Sequence, residues 1–173
     1  MNVLEAILTR RSVRAYKPDP IPPDIWADLL KAMQQAPSAS NRQPWKFIIV
    51  DDPALKEKLA DASFSQKFIA QAPRVVVIAG NRLDAWRGKG GFVQHWEIVD
   101  CAIAMDHLTL AAWERGLGTC WIAAYDAAKV EELLGIREPW HLVVLSPVGW
   151  PAEVSPYRGR KPLDEIVAYN KFR

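Results

Sequence analysis

Cysteine is scarce: Cys101 and Cys120 are the only two in 173 residues, each lies inside an apolar stretch, and they show no CxxC spacing. That leaves little support for a disulfide scaffold, a thiolate zinc site or a dithiol redox centre, and a reducing, cytoplasmic setting is expected. The three histidines, His95, His107 and His141, form no i,i+4 pair and have no cysteine or carboxylate at metal-ligand spacing, so metal catalysis is not expected. No apolar run reaches the roughly 18 residues of a membrane span. The start, MNVLEAILTRRS, lacks the basic, apolar and small-residue succession of a secretory leader. Glycine-based nucleotide motifs fail too. GKGG at 88–91 lacks the spacing and the hydroxyl of a phosphate loop, and Gly116-Leu117-Gly118 opens a strand without the third glycine of a dinucleotide fingerprint. No G-x-S-x-G elbow surrounds any serine.

What is present describes a folded domain. Half the residues are hydrophobic and 24% are charged, which argues against disorder, and a chain of this length buries roughly 70% of its unfolded surface without staples. The net charge of +2 hides an asymmetry. Residues 1–18 carry four Lys/Arg against one acid, residues 158–173 carry five against two, and the stretch between carries thirteen against seventeen. A nucleic-acid binder would spread its cations along a stripe interleaved with aromatics. Here they gather in RRSVR at 10–14 and RGRK at 158–161, a pattern suited to one discrete anion such as a phosphate; plain solvated termini would look the same.

Asn2 caps a helix expected over 3–10, and Pro22-Pro23-Asp24 opens an amphipathic helix through Met33. WKFIIVD at 45–51 reads as a strand feeding a helix over 53–61. Residues 74–80, 117–123 and 141–148 are near-continuous apolar runs of strand length and read as buried strands. Residues 94–115 are apolar on nearly every face, predicting a helix covered all round. Asp126 and Gly135 bracket a helix over 127–134, and a last helix is expected after Pro162. Segments 37–44, 81–93 and 150–161 read as loops. With no repeat or long linker, the expectation is one α+β domain spanning 1–173.

Three separated segments share donor chemistry: Arg10-Arg11-Ser12-Val13-Arg14, Pro37-Ser38-Ala39-Ser40-Asn41-Arg42-Gln43-Pro44-Trp45, and Arg158-Gly159-Arg160-Lys161-Pro162. Guanidinium forks match phosphate oxygens, and Ser, Asn and Gln side chains read polar ring edges or a polyol, so together they suit a phosphorylated heterocycle. In their order and spacing these segments, with G-L-G-T-C-W-I at 116–122, resemble the nitroreductase family of FMN-dependent oxidoreductases over nearly the whole chain.

That resemblance implies an α+β fold with a central, mainly antiparallel sheet flanked by helices, in an intertwined homodimer with non-covalent FMN at the subunit interface. By matching positions, Arg10, Ser12, Arg158 and Arg160 are implied phosphate and ribityl contacts, with Arg11 beside them and Arg14 nearer the flavin pyrimidine. Pro37, Ser38, Ala39 and Asn41 resemble the loop supplied by the partner subunit, Trp121, Ile122, Ala123 and Ala124 the segment whose backbone faces the ring, and Gln66 a polar flavin contact. Ser38–Asn41 read without the resemblance is only a turn, and Trp121 only a core aromatic. Ala123 stands where the oxygen-insensitive branch has a glutamate, and the 81–93 loop is short where several members insert helices, implying a more open pocket. The implied activity is hydride transfer from NADH or NADPH to a flat, electron-poor small-molecule acceptor such as a nitroaromatic, quinone or activated alkene by ping-pong kinetics; no catalytic side chain is singled out. A different flavin reaction such as reductive dehalogenation or flavin fragmentation, and a non-catalytic FMN carrier, are the alternatives. A small anion-binding protein with no flavin is a third.

Overall fold

The computed structural model describes residues 1–88 and 95–172. Most of the GKGG stretch, the end of the 81–93 loop and the expected first residue of the long helix lie outside them. Along the chain come α1 (Val3–Thr9), α2 (Pro23–Gln34), β1 (Trp45–Val50), α3 (Pro53–Ala62), α4 (Phe68–Gln71), β2 (Arg74–Asn81), α5 (Trp96–Glu114), β3 (Gly118–Thr119), α6 (Ala127–Leu134), β4 (Trp140–Gly149) and α7 (Leu163–Ile166). The fold is α+β, with one sheet ordered β1-β2-β4-β3 and every neighbouring pair antiparallel.

Alternation along the two central strands explains why they read as unbroken apolar runs. Val76 and Ile78 of β2 and Val144 and Val148 of β4 point to one face, where they pack with Trp26, Leu29 and Met33 of α2 and with α5. Val75, Val77 and Ala79 point to the other, with Leu59 of α3, Ile69 of α4 and Val130 of α6. Both faces are covered, so neither needs polar residues. The expected helix boundaries hold closely: Asn2, Asp52 and Asp126 each accept a backbone amide of their own first turn, and Gly135 closes α6 with φ 67°. No helix among the described residues is long and apolar enough to cross a membrane.

Two expectations are corrected. The strand expected over 117–123 is a two-residue β3. Its ladder would continue opposite Pro147, which has no amide to donate, and the Cys120 amide instead donates to Ser146 Oγ at 3.2 Å. The chain rejoins the sheet only at an isolated Ile122–Leu145 bridge. Second, the protomer by itself does not cover α5 all round: Ile98 and Val99 stay exposed, while Glu97, Asp100 and Thr109 are buried. The one-turn α4, uncapped by any side chain, left no mark in the sequence.

Candidate anion and cofactor site

The two basic ends of the chain meet. After α1, residues 12–17 run between β3 and the segment following β4. Ser12 bridges Thr119, and the Val13 amide donates to Thr119 O at 2.9 Å. On the other side the Lys17 amide donates to Trp150 O and the Ala152 amide to Ala15 O, both at 2.9 Å, around a Tyr16–Pro151 bridge. The close approach to β3 requires glycine at 118, since a Cβ there would stand 2.5 Å from Val13 Cγ2. These pairings set residues 10–14 beside 155–160. A cleft of about 160 Å³ opens between them, lined by Arg10, Arg11, Ser12 and Arg14 from one end of the chain and by Ser155, Pro156, Tyr157, Arg158 and Arg160 from the other.

No carboxylate lines this cleft, and none of its arginines forms an ion pair among the described residues. Arg11 Nη1 donates to Leu8 O at 3.1 Å and to Arg10 O at 2.9 Å, and Arg160 Nη1 donates to Gly159 O at 2.7 Å. Beneath them Cys120 is buried. Desolvation pushes its thiol pKa up, against the opposing pull of Arg14, a Ser12 hydrogen bond and Arg10, so the sulfur stays protonated. Burial pushes Cys101 up to about 12, and both cysteines are free and inert. Convergent arginines with a serine hydroxyl, uncompensated by acid, are a donor set for a phosphate monoester, so the residues present fit the tail of a flavin mononucleotide.

The second group of expected residues lies along a neighbouring edge. Ile122 is buried and its amide donates to Leu145 O at 2.9 Å, while Ala123 and Ala124 are exposed. Gln66 Nε2 donates to Ala124 O at 3.0 Å and to Ser63 O at 2.9 Å, and the Asp126 amide donates to Ala62 O at 2.8 Å. Gln66 thus ties the turn after α3 to the segment expected to face the ring. Trp121, which on its own read as a core aromatic, is 41% exposed.

The third group, Pro37, Ser38, Ala39 and Asn41, does not line the cleft of its own protomer. Its loop is tightly built: the Gln43 amide donates to Ser38 Oγ at 2.9 Å and the Asn41 amide to Ser38 O at 2.9 Å, with Ser40, Asn41 and Gln43 all at positive φ. Three non-glycine residues in the left-handed region are strain that the surroundings must hold. Arg42 Nε bonds Asp84 O, and the Ala39 amide donates to Asp100 Oδ1 of α5 at 3.1 Å. Asp100 was not singled out from the sequence, nor was Tyr157. The signal for Asp100 was available: two acids three residues apart, Glu97 and Asp100, in the mainly apolar first turns of α5.

Comparison with known proteins agrees with this architecture. The family model for the nitroreductase family matches residues 7–67 and 61–150. The chain is 30% identical to a protein of Thermus thermophilus named NADH dehydrogenase, over 98% of this chain and 96% of that protein. It is 34% identical to a putative NADH dehydrogenase/NAD(P)H nitroreductase of Methanothermobacter thermautotrophicus, over 88% and 79%. A nitroreductase family protein from Clostridium novyi NT superposes with a TM-score of 0.81 at 32% identity, covering 88% of this chain and 87% of that one. An NADPH:FMN oxidoreductase from Vibrio harveyi, solved with NAD+, superposes at 0.91 and 25% identity over 100% and 79%. More distant relatives are named 5,6-dimethylbenzimidazole synthase, from Rhodospirillum rubrum at 29% identity, and iodotyrosine deiodinase, from Thermotoga neapolitana at 27%. The chain belongs to the nitroreductase family.

Proposed function

We propose that the whole chain, as one flavin-binding domain, is an FMN-dependent oxidoreductase that takes electrons from NADH or NADPH and delivers them to a flat, electron-poor small molecule by a ping-pong route. The observation that carries this is the convergence of Arg10, Ser12, Arg14, Arg158 and Arg160 on one acid-free cleft. Arg10, Ser12, Arg158 and Arg160 hold the phosphate and ribityl chain. Arg14, beside Arg10, puts a fixed positive charge toward the pyrimidine side, where negative charge gathers on reduction. Ala123 and Ala124, exposed and braced through Gln66, offer backbone to the ring. When bound, FMN supplies hydride acceptance and release; no side-chain acid or base is assigned.

The same reading makes the protein a homodimer, with the Pro37–Asn41 loop serving the partner's cofactor. Its support is the apolar surface left open on the protomer: Leu4 and Leu8 on α1, Ile98 and Val99 on α5, and Ile166, Val167 and Tyr169 at the C-terminal end are all exposed. Large apolar side chains left exposed on three elements are what an interface uncovered on one protomer would show. A cytoplasmic setting belongs to the same reading, and two free cysteines are compatible with it.

Anaerobic titration of the FMN-loaded protein with NADH and then NADPH tests the reading. Bleaching of the flavin bands by a nicotinamide, followed by reoxidation with a quinone or nitroaromatic, is expected. Protein that takes up no FMN overturns the reading, and protein that binds FMN without bleaching is a carrier. The deiodinase and benzimidazole synthase names among the relatives favour, as a second reading, the same cofactor with another acceptor, so the panel includes a halogenated phenol.

A further inference from the structure

The arginines of the cleft raise an electrostatic question. Like charges repel, and proteins commonly hold such groups with carboxylates, yet no carboxylate is among the described residues lining the cleft. Two of them meet Tyr157. The Arg11 guanidinium sits over its ring at 4.6 Å from the centroid, and the Arg160 guanidinium at 5.6 Å from the same centroid. The two arginines come from opposite ends of the chain, and this one ring is a contact they share.

Resting on the mononucleotide reading, we infer that Tyr157 is a positioning residue that holds Arg11 and Arg160 ready for the cofactor's phosphate. The physical case is a comparison of partners. A carboxylate would order a guanidinium equally well, but it would occupy the N–H edge and cancel the charge, so an arriving phosphate would have to displace it. The face of an aromatic ring attracts the cation through its quadrupole, leaves the charge in place and engages no N–H donor in a hydrogen bond. Carbonyls complete the restraint without adding negative charge: Leu8 O and Arg10 O for Arg11, Gly159 O for Arg160. Fixing two long, rotamer-rich side chains beforehand removes part of the ordering cost at binding. Tyr157 is more than half exposed, so burial does not account for an aromatic residue here.

The test is a fluorescence-quenching titration of wild type, Tyr157→Ala and Tyr157→Phe with FMN and, separately, with riboflavin, which lacks the phosphate. Tyr157→Ala is expected to bind FMN roughly 5- to 150-fold more weakly, because two rotamer-rich side chains must then be ordered at binding. Riboflavin affinity should not change, and Tyr157→Phe, which keeps the ring, should restore FMN binding. Equal weakening of FMN and riboflavin in Tyr157→Ala, no weakening of either, or a Tyr157→Phe variant as weak as the alanine one would each overturn the role. Retained riboflavin binding also shows that the variant is folded. Wild-type protein that binds FMN no better than riboflavin overturns the mononucleotide reading itself, a result distinct from any of these.

Discussion

The Ala39 amide donates to Asp100 Oδ1 at 3.1 Å, joining the strained loop before β1 to the buried face of α5. Asp100 is 2% exposed and its other oxygen has no partner among the described residues. Desolvation raises its pKa above the ordinary 3.8; the Ala39 amide opposes this, and Glu97 adds to it. The folded state therefore holds a proton that the unfolded chain has already released, so stability falls as pH rises from 3.8 through the folded pKa. Asp100→Asn keeps an acceptor for Ala39 and removes the charge beside Glu97. Its melting temperature relative to wild type should rise between pH 4 and pH 7. A difference that stays constant over that range would show that Asp100 carries no such penalty.

Arg10→Ala removes a cation from a cleft with no acid to rebalance it. A charge-assisted hydrogen bond is worth about 1.5–3 kcal/mol, so FMN should bind roughly 10- to 150-fold more weakly. Added salt should weaken the wild type more than the variant. Arg14→Ala is expected to act on the redox potential of bound FMN as well as its affinity, making reduction harder because a positive charge near the reduced ring is lost. Spectroelectrochemistry against a reference dye measures this; unchanged affinity together with an unchanged potential would remove Arg14 from the site.

Gly118 sets how closely the arginine segment lies against the sheet. A methyl group there would meet three Val13 side-chain atoms at 2.5, 2.7 and 2.9 Å, and Val13 is fully buried. Gly118→Ala should destabilise by about 1–3 kcal/mol, as overpacking does, and displace Ser12 from Thr119. Pairing it with Val13→Ala removes Cγ1 and Cγ2 but keeps Cβ at 2.7 Å, so it relieves part of the clash, and the double variant should be more stable than the sum of the two single changes. Chemical denaturation of all four proteins gives the coupling, and strict additivity would show that the contact does not limit the fold.

Much of this fold was legible because local chemistry and tertiary packing agree in it. Asn2 and Asp126 cap the helices they were expected to cap, and Val75–Ala79 read as a buried strand because helices cover both faces. Where the sequence misled, the cause lay in another segment. The apolar run at 117–123 looks like one strand, but its neighbour carries Pro147, and no local pattern reveals which strand will lie alongside. RRSVR and RGRK were legible as two basic clusters, each of which a solvated terminus would also explain, whereas Tyr157 becomes meaningful only when both arginines are seen over one ring. Asp100 is the converse case: an acid in an apolar run signals a buried partner, but only the fold shows that it is the Ala39 amide.

The apolar surface of α1 supplies the remaining prediction. Leu4 and Leu8 are 64% and 63% exposed and stand one helical turn apart, so they form one stripe that water would otherwise cover. Leu4→Glu with Leu8→Glu leaves the protomer core untouched, because Ala6 is the buried residue of that helix. In the dimeric reading, the double variant should sediment at half the wild-type mass and lose FMN affinity by more than roughly tenfold, since separated subunits cannot lend each other the Pro37–Asn41 loop. Far-UV circular dichroism should match wild type. A variant that becomes monomeric and still binds FMN at wild-type affinity would show that the loop takes no part in holding the cofactor, and the strain at Ser40, Asn41 and Gln43 would then need another cause.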